Sequence, residues 1–68
     1  MINKVKKYRQ WHGYTQSHLA EAMNVSRQTI HAIEAGKYVP STLLSLKMSH
    51  LLKTPVQELF ALEKEDWD

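Results

Sequence analysis

The sequence predicts an all-α domain built as a bundle of five short helices. The chain has 68 residues but only two glycines and two prolines, a composition that favours helices joined by short turns. Apolar residues recur at intervals of three and four, which is the spacing of the buried side of a helix. Serine and threonine stand immediately before several of these apolar segments, where they suit helix caps.

The first helix is predicted over residues 3–12. Gly13 follows it, at a position where a left-handed backbone costs glycine least. The residues that fall on one side of this helix are Val5, Tyr8, Arg9 and His12.

The second and third helices are predicted as a closely joined pair. Thr15 suits the cap of the second helix and Ser26 that of the third, and Gly36 ends the third. Asn24-Val25 forms the turn between them, since asparagine tolerates a left-handed backbone. Their inward-facing residues are Leu19, Ala20, Met23, Ile30 and Ile33.

The fourth and fifth helices follow a loop over residues 37–40, where Pro40 prevents helix continuation. Ser41 is expected to cap the fourth helix. Thr54 is expected to cap the fifth, with Pro55 at its first position and Gln57 completing a capping box. Their apolar sides are Leu44, Met48, Leu51 and Leu52, and then Val56, Leu59 and Phe60. We expect one domain over residues 1–62 and an acidic tail over residues 63–68.

Charge is divided unevenly along the chain. Residues 1–53 carry eight Lys or Arg against two Glu, a net charge of +6, whereas residues 54–68 have a net charge of −4. A basic body attracts polyanions, and an acidic tail must then lie away from them.

Several function classes have little support in the residues. The four histidines, at positions 12, 18, 31 and 50, include no i, i+4 pair for a metal, and there is no cysteine or glycine-rich phosphate loop. Two acidic residues before position 54 leave little for acid–base catalysis. We therefore expect no enzyme activity, no cofactor and no metal site. No apolar run approaches the length of a membrane span, and we expect a cytoplasmic protein.

The segment from Gln16 to Glu34 carries the functional signal. Two short helices joined by a very short turn, with small Ala20 where they must approach closely, suit a helix-turn-helix. The outer side of the second of these helices would be free for the major groove, where arginine reads guanine and glutamine reads adenine. The alternative is an ordinary helical hairpin with polar residues outside. That outer side carries Arg27, Gln28, His31 and Ala32.

The pattern extends well beyond these two helices. It runs Tyr14-Thr15-Gln16, Leu19-Ala20, Val25-Ser26-Arg27-Gln28-Thr29-Ile30 and Ile33-Glu34-x-Gly36-Lys37-Tyr38-x-Pro40-Ser41. It resembles the Cro/phage-repressor (XRE) helix-turn-helix family over nearly the whole chain. The later Thr54-Pro55-Val56 and Leu59-Phe60 resemble the small dimeric regulators that contain this domain and little else. The resemblance implies a lambda-repressor-like five-helix bundle that binds a palindromic operator in double-stranded DNA as a homodimer.

The resemblance also implies residue roles. The residues that it implies read bases are Arg27, Gln28, His31 and Ala32. Those that it implies contact phosphates are Gln16, Ser26, Thr29, Lys37 and Tyr38. Arg9 and Glu34 resemble the internal ion pair of the family, which links the first helix to the recognition helix and is a scaffold contact.

Three positions depart from the pattern of the family. Asn24 replaces the usual glycine, which is a mild change. His18 replaces the glutamate that often completes the capping box of Thr15, and Ala35 replaces a polar residue that often contacts phosphate.

The dimer interface is expected around the fifth helix, because helices two and three are committed to DNA. We expect Val56, Phe60 and Leu62 to contact the partner and Leu59 to lie in the core. The alternative for Phe60 is that it closes the core of the monomer. The outward-pointing apolar residues that remain are Trp11, Leu43 and Leu46.

A second function stays open. The chain could be an antitoxin-like module whose main partner is another protein and which also binds its own operator. RNA binding is less well supported, because no exposed aromatic platform for stacking on single strands is evident.

Overall fold

The computed structural model describes all 68 residues and contains five α-helices with a two-stranded sheet at one end. The helices are α1 (Val5–Trp11), α2 (Gln16–Met23), α3 (Arg27–Glu34), α4 (Thr42–Leu51) and α5 (Val56–Leu59). The strands are β1 (Ile2–Asn3) and β2 (Phe60–Ala61), and a 3₁₀ helix covers Lys64–Trp67. The predicted all-α, five-helix fold is confirmed. None of the helices combines the length and apolar character that spanning a membrane requires.

Side-chain caps fix the starts of three helices. Thr15 accepts a hydrogen bond from the backbone N–H of His18 at 3.0 Å, and Ser41 accepts one from Leu44 at 3.2 Å. Ser26 accepts one from Thr29 at 3.1 Å. Each cap satisfies a backbone donor that the helix leaves without a partner, which stabilises the fold by about 1 kcal/mol. All three caps are those that the sequence predicts.

A left-handed residue follows each of the first three helices. Gly13 and Gly36 have φ values of 75° and 76°, and Asn24, at the end of α2, has a φ of 58°. These are the residue types that adopt this conformation most easily. After α2 the chain can therefore turn within the three residues 24–26, which keeps α2 and α3 adjacent.

The core lies where α2, α3 and α4 meet the ends of α1 and α5. Tyr8, Tyr14, Val25, Leu44, Leu51 and Phe60 are partly buried and pack against it. The apolar positions predicted to face inward on α2 and α3 are all buried, and Leu59 is in the core as expected. The nine core residues are Val5, Leu19, Ala20, Met23, Ile30, Ile33, Met48, Leu52 and Leu59.

The two ends of the chain form a sheet that the sequence did not predict. Asn3 pairs with Phe60 in antiparallel register, so α1 begins at Val5 rather than at residue 3. The Asn3 side chain accepts a hydrogen bond from the Val5 N–H at 3.0 Å and donates another to the carbonyl of Ile33. The placement of Phe60 on the fifth helix is wrong, because it belongs to β2.

The start of α5 also differs from the prediction. Thr54 is buried and its hydroxyl donates to the Leu52 carbonyl at 2.7 Å, so it does not cap the helix. Pro55 itself occupies the cap position and Gln57 completes no capping box. Lys53, just before, has a left-handed backbone with φ of 50°. At the end of α1, His12 is exposed and lies just beyond the helix.

The acidic tail folds back on the amino terminus. The amino group of Met1 lies 2.8 Å from a carboxylate oxygen of Glu63 and 3.2 Å from one of Asp66. These carboxylates raise the pKa of the amino group. The pKa of Asp66 is lowered by a hydrogen bond from the backbone N–H of Glu63 and by the amino group. The ion pairs are exposed, so their effect on stability is small.

Candidate nucleic-acid interface

A tight turn fixes the position of α3 against α2. The backbone N–H of Val25 donates to the carbonyl of Ala20 at 2.9 Å, and Ala20 is buried where the helices approach. Ile30 and Ile33 on the inner side of α3 are fully buried. The opposite side of α3 is consequently held toward solvent in one orientation.

The outer side of α3 carries the four residues predicted to read bases. Arg27, Gln28 and His31 are exposed and Ala32 is half-buried. Residues at i, i+1, i+4 and i+5 lie on one side of an α-helix, so all four share a surface. A helix that exposes arginine and glutamine in its first turn can enter the major groove and donate to base edges.

One flank of this surface is formed by α3 and the loop that follows it. Gln28, Thr29 and Ala32 line a shallow depression with Tyr38. The hydroxyls of Ser26 and Thr29 are 2.9 Å apart and share one hydrogen bond, which leaves one hydroxyl proton free for an external acceptor. Lys37 and Tyr38 are exposed. Predicted phosphate contacts therefore border the base-reading surface on this side.

The other flank is formed by α1 and the start of α2. Arg27 borders a depression that Gln10 and Gln16 also line. His31 borders a second one, together with Lys6 and Gln16. Neither Lys6 nor Gln10 is among the site residues predicted from the sequence. Their i, i+4 spacing places them on one side of α1, but which neighbour that side faces depends on how α1 packs against α3.

A buried ion pair ties the far end of α3 to α1. Arg9 Nε lies 2.6 Å from Glu34 Oε2, and the two side chains are only 8% and 5% exposed. Arg9 also donates to the carbonyl of Tyr14 at 2.8 Å. Gln16, predicted as a phosphate contact, donates to Glu34 Oε1 at 3.2 Å. Gln16 thus joins α2 to the same carboxylate while remaining at the edge of the base-reading surface.

The residues predicted for the dimer interface have different surroundings. Val56 is half-buried and lines a groove between α4 and α5 with Leu46 and Pro40. Phe60 packs against the core, and Leu62 is exposed. On the outer side of α4, Leu43 and Leu46 are 63% and 57% exposed. Trp11 is exposed elsewhere, on α1.

Comparison with known proteins identifies the class. The model of the helix-turn-helix family matches residues 5–59, which span α1 to α5. The chain belongs to the XRE-type helix-turn-helix family. This family is a class of DNA-binding transcriptional regulators and not of enzymes.

Relatives of similar length share this class. The chain is 47% identical over 66 residues to the HTH-type transcriptional regulator YgzD of Bacillus subtilis. The aligned region covers 97% of this chain and 100% of YgzD. The chain is 44% identical, with the same coverage, to an HTH-type transcriptional regulator of Methanocaldococcus jannaschii. The crystal structure of the restriction-modification controller protein C.AhdI from Aeromonas hydrophila is similar, with a TM-score of 0.76 and 26% identity. That match covers 84% of this chain and 86% of C.AhdI.

Proposed function

We propose that this XRE-type regulator binds a palindromic operator in double-stranded DNA as a homodimer, with α3 in the major groove. The observation that carries the proposal is the outer side of α3. Arg27, Gln28 and His31 are exposed there, while Ile30 and Ile33 on the opposite side are fully buried. A helix anchored in this way presents polar side chains to base edges without losing its own packing. The protein would act in the cytoplasm, where the DNA is.

Contacts to the DNA backbone would set the register of this helix. Ser26, Thr29, Lys37 and Tyr38 border α3 on one side and suit phosphate contacts. Gln16 lies on the other side, and its amide retains one N–H while the other donates to Glu34. Such contacts position the protein without carrying sequence information, which leaves base discrimination to Arg27 and the residues beside it. The acidic residues 63–68 would lie away from the DNA.

A second copy would supply the specificity that a single helix lacks. One recognition helix reads only a few base pairs, too few to select a site among the roughly 10⁶ or more competitors in a genome. Two copies placed about 34 Å apart would read successive major grooves on one side of the duplex.

The groove beside Val56 supports a symmetric contact between copies. Its lining contains no charged residue, only Pro40, Thr42, Ser45, Leu46, Val56 and Gln57. Around a two-fold axis a residue faces its own copy, and hydroxyl and amide groups can both donate and accept whereas like charges repel. Val56 would be central, with Leu62 and the exposed part of Phe60 extending the surface.

Selection of bound sequences from a random double-stranded DNA pool tests this proposal. We expect the purified protein to enrich an inverted repeat whose half-sites are centred about one helical turn apart. The Arg27→Ala variant, selected in parallel, should enrich the same repeat with one base position in each half-site relaxed. Enrichment of no common sequence would contradict sequence-specific binding, and a single unrepeated half-site would contradict the homodimer.

A further inference from the structure

We infer that Lys6, on α1, is a DNA phosphate contact on the flank of α3 opposite Tyr38. The inference rests on the proposed function and adds a binding residue to it. Lys6 is exposed and forms no ion pair or side-chain hydrogen bond. It lines the same shallow depression as His31 of the recognition helix and Gln16 of α2.

The dimensions of the major groove require contacts on both flanks of α3. The groove is about 12 Å wide and is bounded by two phosphate backbones. An α-helix with its side chains is about as wide as the groove, so each flank of α3 comes close to one backbone. The flank formed by Thr29 and Tyr38 has hydroxyl groups and the neighbouring Lys37 for this purpose.

The α1 flank has a different chemical character. Glu34 lines the depression there, and a carboxylate repels phosphate. Arg9 neutralises this charge, but its guanidinium is buried and donates to Glu34 and to the carbonyl of Tyr14. Gln16 is neutral and also donates to Glu34. Lys6 is therefore the free cation that borders this depression, and its flexible side chain can reach a phosphate beside it.

The neighbouring lysine provides a matched control. Lys7 is also exposed on α1, but a successive residue on a helix points about 100° away. Its Nζ lies 5.3 Å from the centroid of the Tyr8 ring. Alanine at either position removes the same charge from the same helix, so the two variants differ in where the charge was.

The experiment measures the affinity of the full chain for its selected operator, and for a scrambled duplex, at several NaCl concentrations. Lys6→Ala should lower the salt slope by about 0.9 for each protomer, which weakens binding about eightfold per protomer at 0.1 M salt. The loss should be similar on both duplexes, because phosphates carry no sequence. Lys6→Arg should keep the wild-type salt slope, because it keeps the charge. Lys7→Ala should change the slope by less than half as much as Lys6→Ala does.

Equal effects of Lys6→Ala and Lys7→Ala would overturn the inference, because only the total charge would then matter. A loss confined to the operator would also overturn it and would indicate base contact. Arg27→Ala, measured in the same series, separates this failure from failure of the proposed function. If Arg27→Ala relaxes the base preference while Lys6→Ala and Lys7→Ala remain equal, α3 still reads DNA and only the role of Lys6 is wrong. If the wild-type chain binds both duplexes equally, the proposed function fails as well.

Discussion

Arg9 and Glu34 form an ion pair with an Nε to Oε2 distance of 2.6 Å, and neither side chain is more than one-tenth exposed. The pair joins α1 to the last residue of α3, the helix that carries the base-reading side chains. Glu34 also receives hydrogen bonds from Gln16 and from a second nitrogen of Arg9. One carboxylate thereby links three helices, which holds the end of α3 against α1 and α2.

Breaking this pair on one side should cost more than replacing both partners. Arg9→Met leaves the buried carboxylate of Glu34 without its counter-ion, and we expect a loss of about 3 kcal/mol in the free energy of unfolding. Arg9→Met combined with Glu34→Leu removes both charges and should cost clearly less. Urea unfolding at one fixed protein concentration measures the single variants Arg9→Met and Glu34→Leu as well as the double variant. A double-variant loss equal to the sum of the single losses would show that the pair has no coupling energy.

Substitutions on α3 and in the following loop should separate base reading from backbone contact. Arg27→Ala or Gln28→Ala should cost about 1–3 kcal/mol at one base position and relax the preference there. Lys37→Ala should instead weaken binding to every sequence and lower the salt slope by about one unit for each protomer. Affinities for a set of single-base operator variants make the comparison. An unchanged preference in Arg27→Ala would assign the reading of bases to other residues.

Lys53 should be a site where glycine stabilises the protein. Its φ of 50° costs a residue with a Cβ about 1–2 kcal/mol, of which the greater flexibility of unfolded glycine cancels part. We therefore expect Lys53→Gly to raise the free energy of unfolding by about 0.5–1 kcal/mol.

Two variants at other left-handed positions act as controls for Lys53→Gly. Asn24→Gly should gain less, because asparagine adopts the left-handed conformation more easily. Gly36→Ala should lose about 1 kcal/mol through the backbone alone, since an added Cβ there meets no atom within 4 Å. Destabilisation by Lys53→Gly would mean that its side chain contributes more than its backbone costs.

The parts of the fold that the sequence predicts depend on residues close together in the chain, and the parts that it does not predict depend on residues far apart. The caps Thr15 and Ser26 and the left-handed Asn24 act on residues three or four positions away, so local patterns reveal them. The pairing of Asn3 with Phe60 joins the two ends of the chain, and two-residue strands are too short to show alternation.

The candidate site divides in the same way. Arg27 and His31 share the outer side of α3 because of helical spacing, which the sequence displays. That Lys6 borders the same surface depends on how α1 crosses α3, and no local pattern in the sequence reports a crossing between helices. The hydrogen bond from Gln16 to Glu34 has the same origin.

Val56 should be required for dimerisation but not for folding. It is half-buried beside Leu46 in an uncharged groove, and it is not among the residues that pack against the core, whereas Phe60 is. Val56→Asp places like charges across the two-fold axis, so we expect a monomer with an intact helical circular dichroism spectrum. Operator affinity should fall about 100-fold or more, because linkage of the two recognition helices is lost.

Two further variants make this test specific to the groove. Trp11→Asp removes a more exposed apolar side chain, 78% exposed on α1, and should leave the protein dimeric. Phe60→Asp should reduce folding itself, because the ring packs on the core and its backbone belongs to the terminal sheet. Sedimentation velocity measures mass, and thermal unfolding measures stability, for all three. A Val56→Asp protein that sediments as a dimer would place the interface elsewhere, and the exposed Leu62 would then be the next residue to change, because it lies outside the groove.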